Sequence, residues 1–77
     1  MGKELNVDEI DDIRFAVASV FRDYAHVPPD DLVARVEWIT RADRQKIAVQ
    51  ISGLVTLGQL SLHGYKGRLV LDWVPKP

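Results

Sequence analysis

Cysteine is absent from the 77 residues. That excludes a disulfide framework, thiol chemistry and any cysteine-based zinc site. A small chain without such staples fits a reducing cytoplasm. Long apolar runs are also missing, and nothing approaches the roughly 20 residues that span a bilayer, so no membrane segment is expected. Met1-Gly2-Lys3-Glu4 lacks the apolar stretch of a secretory signal. There are no internal repeats and no low-complexity tract.

Catalytic motifs are missing as well. His26 and His63 lie in different elements, and neither has an HxH or HExxH partner. His26 reads as a cation at a helix C-terminus, and His63 as a solvated turn residue. Ser19, Ser52 and Ser61 sit in no GxSxG elbow. Asp11-Asp12 and Asp30-Asp31 are paired only in sequence. Adjacent helix residues point about 100° apart, so the first pair cannot act as an acid/base dyad. Gly53, Gly58, Gly64 and Gly67 form neither GxGxxG nor a P-loop. No catalytic residue, cofactor or metal is therefore expected, and the chain reads as non-enzymatic.

What is present is ordinary globular material: 47% hydrophobic and 27% charged residues, too apolar for disorder. One domain over residues 1–77 is expected. Net charge is −1, but it is segregated. Residues 1–31 hold 8 acids and 3 bases, or −5; residues 32–77 hold 7 bases and 3 acids, or +4. Such asymmetry can steer a partner. It also suits internal pairing and helix-dipole placement.

The clearest element is an acidic amphipathic helix over about residues 6–27. Asn6 and Glu9 make a capping box, and Leu5 with Ile10 a hydrophobic staple. Ile10, Ile13, Val17, Val20, Phe21 and Tyr24 form one apolar stripe, while Phe15 lies off it. Pro28-Pro29 stops the helix, and residues 28–31 form a connector. Beyond it the apolar period reads as two. Leu32, Val36 and Trp38 suggest one strand; Ile47, Val49 and Ile51 suggest another. Residues 53–58 are ambiguous between strand, bulge and loop. Leu60 and Leu62 then precede a four-residue loop, Gly64–Gly67, that sets Leu62 opposite Leu69 and Leu60 opposite Leu71.

The expected architecture is thus α+β. An N-terminal amphipathic helix packs on a curved, mainly antiparallel sheet of three to four strands over residues 32–74, in the order α-β-β-β-β. The sheet's outer face would carry Val33, Arg35, Glu37, Ile39, Gln50, Ser61, Arg68, Val70, Asp72 and Val74. It is half apolar, so something is expected to cover it: a second copy, a partner, or part of the chain itself. Two functional expectations follow. The first is a small regulatory or protein–protein interaction domain using Phe15, Val33, Ile39, Val70 and Val74. It would self-associate as a homodimer through the sheet, or serve as adaptor or inhibitor through the acidic helix. The second, less favoured, is a weak nucleic-acid binder using Arg41, Arg44, Lys46 and Arg68. The sheet's open face has no aromatics for base stacking, and a single helix makes no helix-turn-helix.

Overall fold

The computed structural model describes residues 7–75. These residues form three helices and one two-stranded sheet: α1 (Val7–Asp23), α2 (Pro29–Thr40), α3 (Arg44–Thr56), β1 (Leu60–Tyr65) and β2 (Arg68–Trp73). The α+β class stands. The α-β-β-β-β order does not, because both segments read as the first strands are helices.

In α1 the stripe is correct at its centre. Ile13, Val17 and Val20 are buried, Ile10 and Phe21 partly so, and Ala16 joins them. Phe15 is exposed, as its off-stripe position requires. Asp8 and Glu9 occupy the first turn and Arg22 the last, each favourable against the helix dipole. Asn6 and Leu5 lie outside the described residues. The helix ends earlier than residue 27. His26 takes a left-handed conformation (φ 54°), and Val27 forms a β-bridge with Leu71, each donating its N–H to the other's carbonyl. Tyr24, placed on the stripe, is half exposed beyond the helix end.

Pro29 does more than end a helix. It opens α2 at a position where its missing N–H costs nothing and its fixed φ is already helical. Asp30 and Asp31 follow in the first turn. Helix α2 buries Leu32 and Val36, and α3 buries Ile47, Gln50, Ile51 and Leu54. Those spacings of three and four are helical. The strand reading also needed Trp38 and Val49 inside, yet they are 77% and 58% exposed. Helix α2 stops at Arg41, a left-handed residue whose N–H donates to the Glu37 carbonyl.

The ambiguous stretch 53–58 is the last turn of α3 and its stop. Gly58 is left-handed (φ 84°), its N–H donates to Val55, and the Gln59 N–H donates to Leu54. That double closure is a Schellman motif, which satisfies carbonyls the helix would otherwise leave open.

The hairpin has a tighter turn than expected. Tyr65 pairs with Arg68, so Lys66 and Gly67 alone make the turn, both at positive φ (52° and 83°). This is the type I′ geometry that matches strand twist. Leu62 therefore faces Leu71, and Leu60 faces Trp73. The register slips by two relative to expectation. A slip of two keeps every side chain on its face, whereas a slip of one would have inverted them.

One core results. Ile13, Val17, Leu32, Val36, Ile47, Leu60 and Leu71 are its most buried members, and Trp73 packs at its margin against Phe21. Each such aliphatic side chain contributes about 1.5–3 kcal/mol of burial free energy. Polar links tie the helices around it. Lys46 pairs with Glu9 at 3.3 Å, Arg14 donates to the buried Gln50 at 3.2 Å, and Arg44 pairs with Glu37 at 3.2 Å. The charge segregation is thus partly spent inside the fold, basic α3 against acidic α1.

Candidate functional site: a histidine–aspartate cluster and an apolar groove

Alternation along the hairpin gives it two unlike faces. Leu60, Leu62, Leu69, Leu71 and Trp73 lie on the core side. Ser61, His63, Tyr65, Arg68, Val70 and Asp72 lie on the other. The connector after α1 runs beside β2, where the Val27–Leu71 bridge holds it, and sets His26 next to Asp72 on this second face.

There, three polar side chains converge from three chain segments. Asp72 is the centre. Its Oδ1 accepts the His26 backbone N–H at 2.7 Å. Its Oδ2 accepts from His26 Nδ1 at 2.7 Å and lies 3.1 Å from His63 Nε2. Ser61 Oγ lies 3.4 Å from the remaining nitrogen of His63, Nδ1. The Tyr65 ring stacks on the His26 ring at 3.9 Å, and the two imidazoles meet edge to face. Burial pushes the Asp72 carboxyl up, but the His26 backbone N–H, the His26 ring and the nearby His63 more than offset this. Its pKa falls below the ordinary aspartate value.

Neither histidine is the solitary residue that its local sequence suggests. His26 is held in a left-handed backbone that costs a non-glycine residue about 1–2 kcal/mol. Val70, beneath the same face, is 1% exposed and stands outside the main core. Among the described residues these three, His26, His63 and Asp72, are the one group placed to hold a metal ion.

A second feature lies on the core side. Helix α3, the start of α2 and the hairpin enclose an open groove of about 360 Å³, lined by Val33, Ala48, Ser52, Val55 and Leu62 among others. Leu62 is half exposed at its margin, and Leu69, on the same hairpin face, is 59% exposed. The hydrogen-bond alternation identifies the adjoining edge. The Val74 N–H donates to the Gln59 carbonyl, and Leu71 bonds outward to Val27. In an antiparallel ladder the Leu62 and Gly64 peptide groups must then point away from β2. Among the described residues no strand pairs with that edge of β1.

The remaining expected residues are dispersed. Phe15 is exposed on α1; Ile39 is 52% exposed beside a groove of about 410 Å³ between α1 and α2, with Tyr24 and Trp38. Val33 packs against the core, and Val74 is partly buried after β2. Val70 is inside the protein. They do not form one patch on a sheet face, because that sheet has only two strands. Of the basic residues, Arg41, Arg44 and Lys46 surround the α2–α3 turn and Arg68 flanks the hairpin turn. Arg41 leans over Trp38 at 5.7 Å, and Arg44 and Lys46 are ion-paired.

Comparison with family models, curated proteins and solved structures returns no match. No helix among the described residues is long and apolar enough to cross a membrane.

Proposed function

We propose that this chain is a small non-enzymatic interaction module that binds a second copy of itself through the outer edge of β1. The observation that supports this reading is the unpaired β1 edge beside exposed Leu62. An edge strand with open N–H and C=O groups is a template for another strand. Antiparallel pairing of β1 with its twin about a two-fold axis is self-complementary. It would join the two hairpins into one sheet and bring each Leu62 and its groove margin against the other protomer.

Sedimentation velocity at micromolar concentration tests it. The expected result is a dimer that Leu62→Lys converts to a monomer with an unchanged circular dichroism spectrum, since a lysine on an open edge blocks strand addition. A wild-type chain that stays monomeric throughout overturns the proposal.

A second reading has one specific observation in its favour. Helices α2 and α3 are joined by the three residues Arg41–Asp43 and followed by a hairpin, the element order of a helix-turn-helix with a wing. Fold does not carry function by itself. Of the outward residues of α3, Gln45, Ala48, Val49 and Ser52 offer no charge, and Arg44 is paired with Glu37. Asp30 and Asp31 occupy the α2 N-terminus, where a phosphate would otherwise be favoured. Retention of labelled DNA at low salt, lost in Arg41→Ala/Arg44→Ala, would favour this reading over the first.

A further inference from the structure

We infer that His26, His63 and Asp72 form a binding site for one zinc-class divalent ion, which clips the α1–α2 connector onto the outer face of the hairpin. The donor set is two imidazoles and one carboxylate, a combination suited to zinc and its first-row neighbours. One ligand atom from each residue lies within 4.8 Å of the other two, and His26 Nδ1 and His63 Nε2 both face Asp72 Oδ2. Tetrahedral zinc, with bonds of about 2.0–2.2 Å, sets its ligands roughly 3.3 Å apart. Two of the present separations, 2.7 and 3.1 Å, lie somewhat below that value, so small outward side-chain rotations suffice.

The surroundings hold the ligands in place. Asp72 spends Oδ1 on the His26 backbone N–H, which leaves Oδ2 to the ion. Tyr65 fixes the plane of the His26 ring. Binding moves each ring proton to the other nitrogen: His26 Nδ1 and His63 Nε2 become lone-pair donors, and His63 Nδ1–H then donates to Ser61 Oγ. Such outer partners are what a metal-bound imidazole requires. The side chains are 41%, 39% and 22% exposed, so an ion can enter and water can fill the open coordination position. The left-handed His26 backbone is the strain that this placement costs, and strain of that kind gathers at ligand clamps.

The link is also long in sequence. His26 and Asp72 are 46 residues apart, and the chain has no cysteine to make such a link by disulfide. An ion that binds only the folded chain stabilises it by mass action. At zinc a hundredfold above Kd, the melting temperature of a domain this size should rise by about 10–20 °C.

The test is calorimetric titration of tag-free, chelator-treated protein with zinc chloride, alongside cobalt(II) absorption in the visible. The expected result is one ion per chain, the melting shift above, and a cobalt spectrum with imidazole coordination. His63→Asn and His26→Gly should each lower affinity at least tenfold. His26→Gly is the informative variant, because glycine accepts φ 54° without strain and the fold is retained while a ligand is lost. Circular dichroism confirms that both variants fold. Zinc that does not bind at one per chain, or that binds both folded variants as tightly as wild type, overturns the inference.

Discussion

The two faces of the hairpin come from the same two strands and do opposite work. On the core side, Leu60 and Leu71 are almost fully buried and Trp73 meets Phe21. On the other, His63, Tyr65 and Asp72 meet a single connector residue, His26, and Ser61 reaches His63. The first face is held by burial, which is strong and indifferent to geometry. The second buries Val70 and adds a ring stack and a few directed contacts to one carboxylate, which are weak in net terms and specific in placement. The difference lies within one hairpin: broad apolar burial on the inner face, a directed polar cluster on the outer.

The largest way to break this division is Leu71→Ala. Leu71 is 1% exposed and also carries the β-bridge to Val27. The truncation leaves the bridge intact and removes packing alone. It should cost about 2–5 kcal/mol, read as a lowered urea midpoint with an unchanged slope. A loss below about 1 kcal/mol would mean that the inner face is not the one that holds the fold.

How much of this was legible beforehand differs between regions for physical reasons. The α1 stripe was plain because a run of seventeen helical residues samples its period several times. The helices α2 and α3 were not. Leu32 and Val36, or Ile47 and Ile51, are four apart, which suits both a helix and a strand of period two. The many β-branched residues there, and Trp38 and Val49 at even spacing, tipped the reading toward strand. Only tertiary packing, which leaves Trp38 and Val49 in solvent, decides it. Pro28-Pro29 signals a stop in the sequence, but proline also starts helices, as Pro29 does for α2.

The histidine cluster was hidden by register. A four-residue loop sets His63 opposite Arg68 and keeps Asp72 out of reach. The two-residue turn sets Ser61 opposite Asp72 and His63 opposite Val70, which makes His63 and Asp72 diagonal neighbours on one face. The left-handed pair Lys66-Gly67 was the one local signal for that turn. Nothing local announced that His26 would join them.

The outer face can be probed by pH in chelator-treated protein. Asp72 has a folded pKa below its unfolded value, so it binds protons less readily when folded. Its contribution is fully present above the unfolded pKa, about 3.9, and is lost as pH falls through the folded value. Wild-type stability should therefore decline with acid below about pH 4 more steeply than that of Asp72→Asn, measured by urea titration at each pH. Parallel curves would show that the carboxylate's contacts are not kept in solution. The effect is smaller than that of Leu71→Ala, because Asp72 is partly solvated.

The smallest expected effect draws the finest line. Leu69 lies on the same face as Leu71, two residues away, but is 59% exposed. The inner face therefore runs out before the turn. Leu69→Ser removes little buried area, so it should change monomer stability by less than about 0.5 kcal/mol. Fluorescence of Trp38 and Trp73 during urea unfolding of the monomeric Leu62→Lys background measures this without interference from self-association. If Leu69→Ser costs as much there as Leu71→Ala, the hairpin's turn end is packed in solution, and the boundary drawn between its buried and open parts is misplaced. If it is silent in that background yet weakens the dimer in the wild-type chain, the apolar surface at the turn end serves the partner rather than the fold.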